Sequence, residues 1–95
     1  MKIYTVIIEP EAQRDLMDIY RFISQNDSPL PAKRFLSKLQ NAIESLSFMP
    51  QRYRKSYYID DEHTHDMIVH GYTICYTIRE EKVHIVAVFR QKAYP

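Results

Sequence analysis

The chain has 95 residues, enough for a single domain over 1–95 and too few for two. Hydrophobic residues make up 45% and charged residues 26%, which excludes a disordered or fibrous chain and fits an ordinary globular one. Thirteen Lys and Arg against twelve Asp and Glu leave a formal charge of +1, so no global excess of cations draws the chain to nucleic acid; a near-neutral total is still compatible with a local basic patch.

The first apolar run, Ile3 to Ile8, is rich in β-branched residues and stops before Pro10, which predicts a strand. Acid and proline follow it at once, so the apolar region and cleavage site of a secretory signal are not expected. No run approaches the ~18 apolar residues that span a bilayer. The expectation is a cytoplasmic protein with no membrane partner.

A helix is predicted to begin near Glu9 to Glu11, where acidic residues suit the positive end of the helix dipole. Ala12, Leu16, Ile19 and Ile23 recur on one helical face. The segment SQNDSPLP breaks the pattern, and a second helix is predicted from about Ser28 to Pro31, since proline is tolerated in a first turn. Its apolar stripe runs through Ala32, Phe35, Leu36, Leu39, Ile43 and Leu46, and Pro50 stops it. Neither helix buries its stripe alone, so an antiparallel hairpin follows.

From Tyr53 the period changes to two. YRKSYYI reads as a weak strand before the acidic DDEH, and Asp66 to Val69 as a better one. His70-Gly71 suits a two-residue hairpin turn because Gly accepts positive φ. Tyr72, Ile74, Tyr76 and Ile78 then alternate with Thr73, Cys75 and Thr77, Glu80-Glu81 turns the chain, and Val83 to Phe89 forms the last strand. The predicted fold is α+β: an N-terminal strand, an antiparallel two-helix hairpin, then a 3–4-stranded antiparallel sheet with the helices on one face.

Few residues point to chemistry by themselves. Cys75 is the single cysteine, which excludes an internal disulfide, and its strand context predicts a small buried hydrophobe. His63-x-His65-Asp66 lacks a third ligand at a recognisable spacing, so no metal and no other cofactor is expected. His70 falls in a turn, and His84 alternates with Val83 and Ile85 on the less buried face. Tyr72 and Tyr76 share the parity of Ile74 and Ile78, which assigns them to the core. Tyr57 and Tyr58 lie on opposite faces of the weak strand, so at least one is exposed; beside Arg54 and Lys55 it fits a protein-binding surface, while the basic cluster of Arg52, Arg54 and Lys55 is equally read as a solvated strand. Tyr20, Phe22, Phe48 and Met49 lie off or at the end of the helical stripes and are candidates either for an apolar docking patch or for a satellite of the core.

The order of elements and several segments resemble the RelE/ParE toxin family of type II toxin–antitoxin modules. AQRDLMDIYRFI resembles that family's opening helix, AKRFLSKLQNAIESLSFMP its second helix, and VHGYTICYTIREEKVHIVAVFRQ its carboxy-terminal hairpin. The resemblance covers nearly the whole chain and is closer to the ParE-like branch. It implies a growth-inhibiting, plasmid-stabilisation-like toxin neutralised by a cognate antitoxin, which would dock at Tyr20, Phe22, Phe48 and Met49 as a helix in a groove or as an added strand.

Two chemistries occur in such a family. RelE-like members are mRNA interferases, cutting messenger RNA on the ribosome. This needs a base, an acid and cations around one phosphate. In that reading Arg54, Lys55, Arg79, Arg90 and Tyr94 are the catalytic candidates. ParE-like members inhibit DNA gyrase without a catalytic site, and Arg52, Arg54, Lys55, Arg90 and Lys92 would then be the target-binding surface. The cleaving branch usually carries an arginine just after the Gly-Tyr pair, where this chain has Thr73. That favours gyrase and a protein that is not an enzyme. A family member that has lost toxicity, and a homo-oligomer, are both compatible with the sequence.

Overall fold

The computed structural model describes residues 2–90. Strand β1 (Thr5–Ile8) leads directly into helix α1 (Pro10–Asn26), followed by α2 (Pro29–Glu44). Each helix is started by a residue in extended conformation, Glu9 or Ser28, with proline at the first helical position. A proline there loses no hydrogen bond and has its φ already fixed. The second helix stops at Glu44, earlier than its apolar stripe. The chain tightens into a 3-10 turn over Ser45–Ser47 that still buries Leu46.

Phe48 then bridges Ile3, and Met49, in the left-handed region at φ +48°, redirects the chain into a second 3-10 turn, Pro50–Arg52. Strands β2 (Arg54–Lys55), β3 (Thr64–Val69), β4 (Tyr72–Arg79) and β5 (Lys82–Arg90) complete the fold.

The sheet has five strands in the order β1-β5-β4-β3-β2. It is mixed rather than purely antiparallel, because β1 runs parallel to β5, pairing Thr5 with Lys82 through Ile8 with Ile85. The two-helix connection is long enough to permit a parallel return.

The expected YRKSYYI strand is shorter than its pattern. Only Arg54 and Lys55 pair, with Asp66 and His65. Beyond them the Ser56 hydroxyl accepts the N–H groups of Tyr58 and Ile59, turning the backbone out of the sheet. Consequently Tyr57 and Tyr58 do not alternate across a strand. Tyr57 is exposed, whereas Tyr58 is half-buried with its ring edge-on to Phe89 at 4.9 Å.

The core lies between the helices and one sheet face. Leu16, Leu39, Ile43, Met67, Ile74, Val83, Ile85 and Val88 are buried together, each such side chain contributing about 1.5–3 kcal/mol. Tyr76 is fully buried with them; its hydroxyl donates to the Pro50 carbonyl, and burial raises its pKa. A bulge between Cys75 and Tyr76 shifts the β4–β5 register by one residue, which keeps Ile74 and Tyr76 opposite Val88 and Ile85 on the helix side. The sheet's other face carries Asp66, Thr73, Cys75, Thr77, His84 and Phe89. No helix among the described residues is long and apolar enough to cross a membrane.

Candidate functional site

On the helix-free face, register places Arg54 beside Asp66 and Asp66 beside Cys75. Asp66 is buried, and its carboxylate is held from three directions. Oδ1 accepts the Cys75 thiol at 3.0 Å. Oδ2 accepts the Tyr57 N–H at 3.0 Å and lies 3.5 Å from Arg54 Nη2. A buried carboxylate is tolerated only with such partners. Burial first, and then the Asp66 hydrogen bond, push the Cys75 thiol up to about 12, which makes it an inert group at neutral pH.

One step along the sheet, the Thr64 and Thr77 hydroxyls bond each other at 2.8 Å, and Thr64 also reaches Asp61. Asp61 is held below its usual range, chiefly by the backbone N–H of His63, and pairs with Arg79 at 3.3 Å. His84 Nδ1 lies 2.7 Å from Glu9 Oε1. Many of the face's polar groups are therefore satisfied by one another. Thr73, buried between Ile68 and Phe89, retains a hydroxyl without a partner among the described residues.

Among the described residues, the basic candidates do not gather at one point. Arg79 and Tyr72 terminate opposite ends of β4, and Arg90 pairs with Tyr72. At about 3.3 Å per residue, Arg79 and Arg90 start more than roughly 20 Å apart. Arg90 also lies on the helix side, with Tyr72 and Val88, whereas Arg54 and Arg79 are on the other face. Lys55 is exposed at the edge strand, next to His65 in register. Arg52 ends the second 3-10 turn with its guanidinium 5.0 Å from the Tyr53 ring. Lys92 and Tyr94 lie outside the described residues. His65 and Asp66, adjacent in β3, point to opposite faces, and the His65 ring stacks on Tyr76 at 5.6 Å.

A second feature is an apolar groove of ≈ 280 Å³ between α1 and the end of β5. It exists because β1 stops pairing at Ile8, so β5 beyond Ile85 has no strand on that side and α1 crosses it instead. Ile19, Phe22, Tyr72 and Val88 line the groove, with Asp15, Asp18 and Arg90 at its polar positions. Phe22 is 55% exposed there. Tyr20 is half-buried elsewhere on α1. Phe48 and Met49 lie at the opposite end of β5, near Ile3, and Met49 is exposed. Of the four apolar candidates, then, one lines this groove. The sequence signal for it was a large aromatic off the helical stripe; the groove's other wall comes from residues far along the chain.

The sequence matches the model of a family described as "ParE toxin of type II toxin-antitoxin system, parDE" over residues 6–94. Among curated proteins none matches. Solved structures share the fold, and two of them are toxin–antitoxin proteins. One belongs to the chromosomal ParDE toxin–antitoxin system of P. aeruginosa, with TM-score 0.82 and 11% identity, covering 95% of this chain and 98% of that one. The other is from the RelBE2 toxin–antitoxin complex of Mycobacterium tuberculosis, with TM-score 0.71 and 24% identity, covering 96% and 94%.

Proposed function

The chain belongs to the ParE toxin family of type II toxin–antitoxin systems, and from that premise we propose that it arrests growth by binding DNA gyrase and is neutralised by a cognate antitoxin. The observation that carries the gyrase reading is the dispersal of the cations among the described residues. A phosphate-cleaving site needs an acid, a base and positive charge converging within hydrogen-bond reach. Here Arg54 is drawn to Asp66, Arg79 to Asp61, and Arg90 stands at the far end of β4 on the other face. The strand position expected to hold a phosphate-binding arginine is the buried Thr73. Dispersed cations suit a protein interface, where a few arginines and tyrosines dominate binding over a broad area. The residues proposed to face the target fall on two sides of the sheet: Arg52 and Arg54 with the helix-free face, Arg90 on the helix side, with Lys55 at the edge strand and Lys92 outside the described residues.

The antitoxin reading draws support from the groove at Phe22. An apolar channel with acidic residues at its edge fits an amphipathic segment carrying basic side chains. Both activities belong to the cytoplasm.

The test uses toxin freed of its antitoxin, in a DNA supercoiling assay with gyrase and in a programmed-ribosome assay for messenger RNA cleavage. Loss of supercoiling with intact RNA is expected. Cleaved RNA with normal supercoiling would overturn the proposal in favour of a ribosome-dependent endoribonuclease. Failure in both assays, with no arrest on expression in cells, would indicate a non-toxic antitoxin-binding protein.

A further inference from the structure

A pocket of ≈ 280 Å³ on the helix-free face is lined by Arg52, Tyr53, Arg54, Asp66 and Ile68. Aromatic rings fix both of its guanidinium groups. Arg52 lies over Tyr53 at 5.0 Å, and Arg54 over Tyr57 at 3.9 Å. A ring held this close restricts a guanidinium and leaves its exposed N–H groups available to an acceptor.

Asp66 does not use up Arg54. Their 3.5 Å contact is at the limit of a hydrogen bond, and the same carboxylate is held more closely by Tyr57 and Cys75. Arg54 Nε is buried without a partner. That nitrogen is closed to an incoming group, so what remains for a further anion is the outward Nη edge of a side chain that is 31% exposed. Two arginines against one buried aspartate also leave one net positive charge in the pocket.

We propose that this pocket receives a carboxylate side chain from an acidic segment of a protein partner. One carboxylate would balance the remaining charge and meet the guanidinium edge in the paired geometry that Arg favours. Ile68, 38% exposed, and Tyr57, 65% exposed, offer apolar contact to the residues flanking that carboxylate. The surroundings disfavour a polynucleotide. Nucleic-acid affinity comes from many phosphate contacts together, yet Arg79 is engaged by Asp61 and Arg90 lies on the other face. The inference rests on the target-surface reading above insofar as it uses Arg52 and Arg54, and it supplies the chemistry that reading leaves open.

The test is a titration of the full chain, following the side-chain Nε–Hε resonances of Arg52 and Arg54. Three probes are added separately: the peptide acetyl-Leu-Glu-Leu-Glu-Leu-amide, its Gln counterpart, and a uridine decanucleotide. The Glu peptide should shift both arginine signals saturably, and the Gln peptide should leave them in place. Arg52→Gln and Arg54→Lys should each weaken the Glu peptide about tenfold, the loss of one charge-assisted contact. Arg52 is exposed, so its substitution keeps the fold and the test stands even where Arg54→Lys disturbs Asp66. Equal response to the Gln peptide, tighter binding of the decanucleotide, or indifference to Arg52→Gln would overturn the assignment. A chain that binds the Glu peptide but spares gyrase keeps the pocket and loses the proposed target; a gyrase inhibitor blind to the peptide does the reverse.

Discussion

Asp15 Oδ2 accepts the backbone N–H of Val88 at 2.9 Å, joining the middle of α1 to the end of β5. Val88 lies where β5 has outrun β1, so its N–H has no strand partner on that side and a helix side chain replaces the missing ladder bond. Asp15→Ala should therefore lower stability by about 1–2 kcal/mol, because the donor at this half-buried position is left unsatisfied. Asp15→Asn retains an acceptor and should recover most of it. Urea denaturation with an unchanged slope measures both. Equal losses in the two variants would show that the carboxylate's charge, not the hydrogen bond, is what matters.

Two hairpin turns predict opposite signs for glycine. Gly71 has φ +80°, and a Cβ there would meet nothing within 4 Å, so Gly71→Ala isolates the backbone cost. About 1 kcal/mol of destabilisation is expected. Glu80 sits at φ +58° with a side chain, and Glu80→Gly should be neutral to about 0.5 kcal/mol stabilising, since strain relief offsets the added chain entropy. A clear loss in Glu80→Gly would mean that the glutamate side chain contributes more than its backbone strain costs.

How far the sequence discloses this molecule follows from which forces are local. The α1 stripe of Ala12, Leu16 and Ile19 is periodic and is buried as its spacing predicts. The Tyr72–Ile78 alternation likewise survives, because the bulge falls where β5 rather than β4 carries the extra residue. By contrast, the 56–63 loop is shaped by single side-chain acceptors, Ser56 Oγ and Asp61, whose effect no period of two reveals. Asp66 reads from its neighbours as part of a histidine cluster. Only the pairing of β3 with β4 shows it facing Cys75 instead. The groove joins Phe22 to Val88, and a surface made by distant segments has no signature in either one.

The Cys75–Asp66 contact makes stability fall in alkali. The folded thiol ionises only near pH 12, whereas an unfolded cysteine does so at about 8.5. The stability tied to the neutral thiol is thus fully present below the unfolded value and is lost as pH rises from there toward 12. Cys75→Ala should be less stable at pH 7, by about 1 kcal/mol, because Asp66 loses a donor. It should also decline less steeply than the parent between pH 8.5 and pH 10.5, a window set by the ordinary thiol pKa. Urea midpoints across that range decide the matter, and parallel declines would remove Cys75 as the cause.

The apolar candidates for antitoxin contact lie at two ends of β5, so substitution can separate them. Phe22 lines the α1–β5 groove and is 55% exposed, and Met49 is 54% exposed near Ile3. Neither belongs to the buried core, so Phe22→Asp and Met49→Asp should each change stability by no more than about 0.5 kcal/mol. An aromatic anchor seated in a groove typically accounts for 2 kcal/mol or more of binding, so Phe22→Asp should weaken a cognate antitoxin by at least about 30-fold in a calorimetric titration. Met49→Asp should change it little if the antitoxin occupies the groove alone. If Met49→Asp instead releases the antitoxin and Phe22→Asp does not, the docking surface lies on the Ile3–Phe48 side, and the groove needs a different occupant.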